Sequence, residues 1–94
     1  MKVIWTTFSE LSLLEIVNYI QVNFGEIASE KYYNIVLENV ENIGINPLLF
    51  PIYQKDTKTR KAVINKKTIL YYKIEEKNII LLAFYDVRNG KHKL

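Results

Sequence analysis

The sequence predicts an α+β domain in the order β-α-α-β-β-β, with a helical hairpin packed on one face of a mostly antiparallel four-stranded sheet. Three observations carry that prediction. Two segments with apolar residues at three-to-four spacing meet at Gly25. Three runs rich in β-branched and aromatic residues crowd into the last third of the chain, separated by short polar breaks. A short run of the same kind opens it. The 94 residues form one domain, 1–94, because independent domains usually need about 50 residues or more.

Residues 2–6 (KVIWT) read as a strand. Thr7 then reads as a helix N-cap, with Glu10 three residues later completing a capping box. The helix that follows carries Leu13, Ile16, Val17, Ile20 and Phe24 on one stripe, and Gly25 supplies its stop. A second helix begins near Glu26, with Ala28, Tyr32, Ile35, Val36, Val40 and Ile43 facing inward, and Gly44 and Pro47 close it. So short a connection makes the two helices an antiparallel hairpin. Residues 47–59 hold both prolines and no clean period, so a loop is expected there. Strands are expected over 60–65, 68–75 and 78–85, although neither intervening turn offers Asn-Gly. The last run, NIILLAFY, is apolar on both alternating faces, which suits a central strand. Residues 2–6 are therefore expected to pair beside it. One sheet face, containing Ile69 and Tyr71 or else their opposite set, is left with no second layer of chain to cover it, which points to a protein partner.

Composition narrows the chemistry. At 49% hydrophobic and 13% aromatic the chain has too much apolar material to remain disordered. It contains no cysteine, so it has neither disulfides nor a thiolate nucleophile. His92 is the only histidine, which leaves no zinc ligand set, and three scattered glycines build no phosphate loop. No metal and no cofactor are expected. Ser9, Ser12 and Ser29 have no histidine nearby in sequence, which disfavours a serine triad. No signal peptide or membrane span is evident, and a cytoplasmic location is expected.

Charge is unevenly divided. Residues 1–54 carry two lysines against six glutamates, a net −4. Residues 55–94 carry eleven lysines and arginines against four carboxylates, a net +7. Such a directed field suits an anionic partner on the basic side, although edge lysines also serve simply to keep sheets soluble. Arg60 and Lys61 open one strand, and Asp86, Arg88, Lys91, His92 and Lys93 follow the last one. Arginine and lysine gathered at a strand end can grip phosphates. Asp86 and Arg88 read equally as a local ion pair. Tyr71, Tyr72 and Tyr85 can stack on bases, but strand packing explains them as well.

The order strand, helix hairpin, Pro-marked loop and three strands ending in D-x-R resembles the RelE/ParE toxin superfamily of type II toxin–antitoxin modules. The matching pieces are VIWTTFSELSLLEIVNYI, the mid-chain NP with a later FP, and TRKAVINKKTILYYKIEEKNIILLAFYDVRNGKHKL. The resemblance implies a growth-inhibiting toxin of the kind linked to plasmid stabilisation, neutralised by a cognate antitoxin in a hetero-oligomer. Tyr71, Tyr85 and Asp86 are the expected partner-binding residues, and Arg60, Lys61, Arg88, Lys91 and Lys93 the expected target-binding ones. Members similar to RelE cleave mRNA on the ribosome; here His92, Arg60 and Arg88 would be the catalytic set. Their strand arginine would fall at Ile69, however, and their tail tyrosine is missing. Members similar to ParE poison DNA gyrase without catalytic residues. Asp86 and Arg88 match the D-x-R of their tail, with Gly90-Lys91 where Asn-Pro is usual. The ParE-like branch and a gyrase-like target are therefore favoured, with a ribosome-dependent mRNA endonuclease or a non-toxic antitoxin-binding relic as the alternatives.

Overall fold

The structure, a computed structural model, describes residues 1–89. It has five strands and two long helices: β1 (Lys2–Trp5), α1 (Thr7–Phe24), α2 (Glu26–Ile45), β2 (Ile52–Gln54), β3 (Thr59–Ile64), β4 (Thr68–Glu75) and β5 (Asn78–Asp86). A 3₁₀ turn, Val87–Asn89, follows β5. The sheet order is β1-β5-β4-β3-β2, so β5 is internal, with a strand on each side, as its doubly apolar sequence requires. β1 pairs parallel to β5, with Trp5 opposite Leu81; the remaining pairs are antiparallel.

The four expected strands and both helices are present, and the α+β class holds. The strand count differs by one. β2 lies within the segment expected to be a loop; it is three exposed residues long and pairs irregularly along the edge of β3. A strand of that length on a sheet edge has no buried face, and so carries no alternating pattern.

α1 starts one residue earlier than expected. Thr6, not Thr7, is the N-cap: its hydroxyl oxygen accepts from the Ser9 amide at 3.1 Å. The same hydroxyl donates to the Leu81 carbonyl at 2.7 Å, tying the cap to β5. This choice between adjacent threonines is made by the sheet. β1 ends opposite Leu81, so the next stretch of β5 has no strand on that side. Hydroxyls of α1 take over there: the Phe84 amide donates to Ser12 Oγ at 2.9 Å.

Gly25 turns the chain between the helices at φ 97°, in the region that favours glycine. The core lies between the hairpin and one sheet face. Leu13, Ile16 and Ile20 of α1 and Tyr32, Val36, Val40 and Ile43 of α2 pack on Ala62, Ile64, Leu70, Tyr72, Ile79, Leu81 and Phe84. Phe24, expected on the same α1 stripe, is 60% exposed at the helix end.

A bulge in β5 decides which residues reach this core. Tyr71 stands opposite Ala83 and Tyr72 opposite Leu81, leaving Leu82 as the extra residue. The inward set on β5 thus changes from Ile79 and Leu81 to Phe84, while Ala83 turns to the other face with Tyr71.

Candidate functional site

At the Gly25 end of the hairpin the helices are joined to the sheet by a polar latch. Asp86, 1% exposed, ends β5 opposite Thr68. Arg88 Nε donates to Asp86 Oδ1 at 2.9 Å while Arg88 Nη2 bonds Oδ2, a bidentate pair. The Arg88 amide also donates to Oδ1, at 2.7 Å. The Thr68 hydroxyl donates to Oδ2 at 3.4 Å and shares a 2.8 Å hydrogen bond with the Tyr32 hydroxyl. The Arg88 guanidinium lies 5.5 Å from the Tyr32 ring centre. From α1, the Tyr19 hydroxyl reaches the Arg88 carbonyl at 3.5 Å. The D-x-R spacing is thus used for an intramolecular pair, and its hydrogen bonds hold the guanidinium above its ordinary pKa.

Burial is the main reason the Tyr32 phenol is pushed up to about 12; the hydrogen bond to Thr68 opposes that shift and the Asp86 charge adds to it. Since the folded pKa lies above the unfolded value of 10.0, the folded chain holds this proton longer. Tyr32 therefore contributes its stability in full below pH 10 and loses it as pH rises towards 12, a swing on the order of 2–3 kcal/mol. Equilibrium unfolding measured across that window should show stability falling with pH in the wild type and a shallower fall in Tyr32→Phe. Equal slopes would contradict the assignment.

The structure does not gather Arg60 with Arg88. Arg60 pairs with Tyr72, whereas Asp86 pairs with Thr68, four residues away along β4, about 13 Å at strand rise. Arg60 Nη1 donates to the Phe50 carbonyl at 2.7 Å, beyond the C-terminal end of α2, while Arg88 packs on Tyr32 near the other end. Among the described residues, Arg60 and Arg88 therefore do not share one rim of the sheet. Lys91, His92 and Lys93 lie outside the described residues.

The second sheet face also departs from expectation. No helix or further strand among the described residues packs on it. Its centre is nevertheless closed by its own side chains: Ile69, Tyr71 and Ala83 are buried, and Tyr71 is only 2% exposed. The Tyr53 ring of β2 stands 5.4 Å from the Tyr71 ring and that of Tyr85 stands edge-on at 5.8 Å. Lys61 Nζ lies 5.1 Å over the Tyr53 ring. Burial and the neighbouring Tyr53 raise the Tyr71 phenol above its ordinary pKa. Tyr71 and Asp86, expected to meet a partner, are therefore internal, and only the half-buried Tyr85 retains surface.

An exposed apolar surface lies on α1. Phe8, Leu11 and Leu14 are exposed, and beside them Trp5, Val17 and Tyr33 line a groove of about 640 Å³ between the helices. Sequence reasoning missed this surface although the signal was present: Phe8, Leu11 and Leu14 recur at three-residue spacing beside the core stripe, giving α1 more apolar residues than one buried face needs. Among the described residues no acidic or histidine cluster fit for a metal occurs, and no helix is long and apolar enough to cross a membrane.

A mixed five-stranded sheet with a helical hairpin on one face, its last strand closed by the Asp86–Arg88 pair, makes up the fold. The chain shares that fold with a chain of the solved chromosomal ParDE TA system from P. aeruginosa, at TM-score 0.79 over 92% of this chain and 95% of that one, with 16% sequence identity. No protein-family profile and no curated protein sequence matches the chain.

Proposed function

We propose that the chain is the toxin of a type II toxin–antitoxin pair, a cytoplasmic protein that arrests growth when alone and is neutralised by its antitoxin. One observation carries this reading: nearly the whole chain shares its fold with a chain of a ParDE system. The exposed α1 strip supports an antitoxin partner, because a contiguous apolar surface rimmed by Glu10 and Glu15 calls for a cover. The target proposed is DNA gyrase. Arg60 and Arg88, two of the three residues a ribonuclease would need, stand apart and are each engaged by an acceptor within the chain. That arrangement favours inhibition by binding over phosphoryl chemistry, in which cations must converge on one transition state.

Induction of the chain alone in a bacterial host is expected to stop growth, and co-expression of the small gene adjacent to its own is expected to restore it. Leu14→Glu, on the exposed strip, should keep toxicity and lose most of the rescue. Harmless induction with the protein soluble would refute the toxin reading. Ribosome-dependent cleavage of mRNA, mapped by primer extension and abolished in His92→Ala, would instead select the endonuclease.

A further inference from the structure

At the Gly25 end of the hairpin, beside the latch, is a second groove of about 320 Å³. We propose that it is a docking site for an acidic amphipathic peptide segment, a surface distinct from the α1 strip and independent of the toxin reading. Its floor is aliphatic: Ile20 of α1 and Ala28 and Ile35 of α2, with exposed Phe24 at one side. Its cationic groups come from three separate elements: Lys31 from α2, Lys67 from the β3–β4 turn and Arg88 from the segment after β5.

The three cations are not equivalent. Arg88 is neutralised by Asp86. Lys31 and Lys67 are exposed, and neither has a carboxylate partner among the described residues. The positions three and four residues from Lys31 along α2 are Ile27, Ala28, Asn34 and Ile35, none of them acidic, so the helix offers no internal ion pair. Two ammonium groups without a carboxylate partner among the described residues thus stand around an aliphatic floor, beside Tyr32, Asn65 and the paired Arg88, while the other charged residues of the hairpin are acidic.

The turn that delivers Lys67 is itself constrained. Asn65 and Lys66 both adopt left-handed backbone, at φ 52° and 66°, the arrangement of a tight hairpin turn without the glycine that usually eases it. The Val87 amide donates to the Lys67 carbonyl at 2.9 Å, which ties the turn to the latch. Lys67 is therefore presented from a fixed backbone.

The occupant follows from this chemistry. A helical segment with leucines at three-to-four spacing sets its apolar face on Ile20, Ala28 and Ile35 and its flanking carboxylates against Lys31 and Lys67. A nucleic-acid strand fits less well, because a phosphate backbone calls for a continuous track of cations and this groove supplies two free ones around an aliphatic floor.

The test uses the full chain and a fluorescein-labelled synthetic peptide with leucine at positions i, i+3 and i+4 and glutamate between, followed by fluorescence anisotropy. Saturable binding is expected, weakened about tenfold in Lys31→Glu/Lys67→Glu, with an unchanged melting temperature because both side chains are exposed. Lys77→Glu, in the opposite turn of the sheet, should leave the affinity unchanged. A matched peptide with glutamine for glutamate should bind at least severalfold more weakly. No binding, equal binding by the double variant, or equal binding by the glutamine peptide would each overturn the proposal. Stronger binding of a thymidine oligonucleotide of equal charge, lost in the same double variant, would also overturn it and make this a nucleic-acid site.

Discussion

Leu81→Asp leaves the chain unfolded. Leu81 lies on the internal strand β5 with Trp5 opposite it on one side and Tyr72 on the other, and it is 0% exposed. The substitution removes a buried aliphatic side chain and places a carboxylate within the hydrophobic core. Losing the packing alone costs about 2–5 kcal/mol, and burying the unpaired charge adds several more. A domain of this size has on the order of 5–14 kcal/mol in all. Circular dichroism during heating should therefore show no cooperative transition for the variant. Tyr71→Asp, on the opposite face, is expected to be severe for the same reason, since Tyr71 is sealed by Tyr53 and Tyr85. A wild-type melting curve for Leu81→Asp would mean that the assignment of sheet faces is wrong.

The second large effect is expected at the latch. Arg88→Ala removes the guanidinium and leaves the Asp86 carboxylate, whose side chain has no exposed surface, with only the Arg88 amide and the Thr68 hydroxyl. Breaking a buried pair from one side typically costs about 3–5 kcal/mol. The lower part of that range applies here because the Arg88 side chain is 25% exposed. In a domain of this length, 3 kcal/mol lowers the melting temperature by roughly 12 °C or more. Asp86→Asn/Arg88→Ala should recover part of the loss, since the stranded charge is gone. If the double variant is no more stable than Arg88→Ala, the cost does not come from an uncompensated carboxylate.

Much of this architecture was legible in the sequence, and what was not has identifiable causes. The helices and β4 follow from periodicity over many residues, and β4 runs over the expected 68–75. The placement of β1 beside β5 followed from NIILLAFY being apolar on both faces, a pattern that only a central strand explains. β2 was hidden because three exposed residues carry no pattern. The β5 bulge was hidden because one extra residue, Leu82, is as apolar as its neighbours, yet it exchanges the faces that Ala83 and Phe84 take.

The site was read less well than the fold. Asp86 and Arg88 are two residues apart, so their pairing is local and visible in sequence. Arg60 and Arg88 are both basic residues at strand ends, but which ends share a rim depends on β-register, and the register separates them. The bare second face was inferred from the lack of chain to cover it. Aromatic side chains on the sheet close its centre instead, because Tyr53 of the unforeseen β2 stands beside Tyr71.

The central claim, that this fold inhibits growth by binding rather than by cutting RNA, is tested most directly by adding the purified, folded chain to DNA gyrase and following plasmid supercoiling. Dose-dependent loss of supercoiling is predicted, relieved by the antitoxin and retained in His92→Ala. Unimpaired gyrase, together with mRNA cleavage by the same preparation on translating ribosomes, would contradict it.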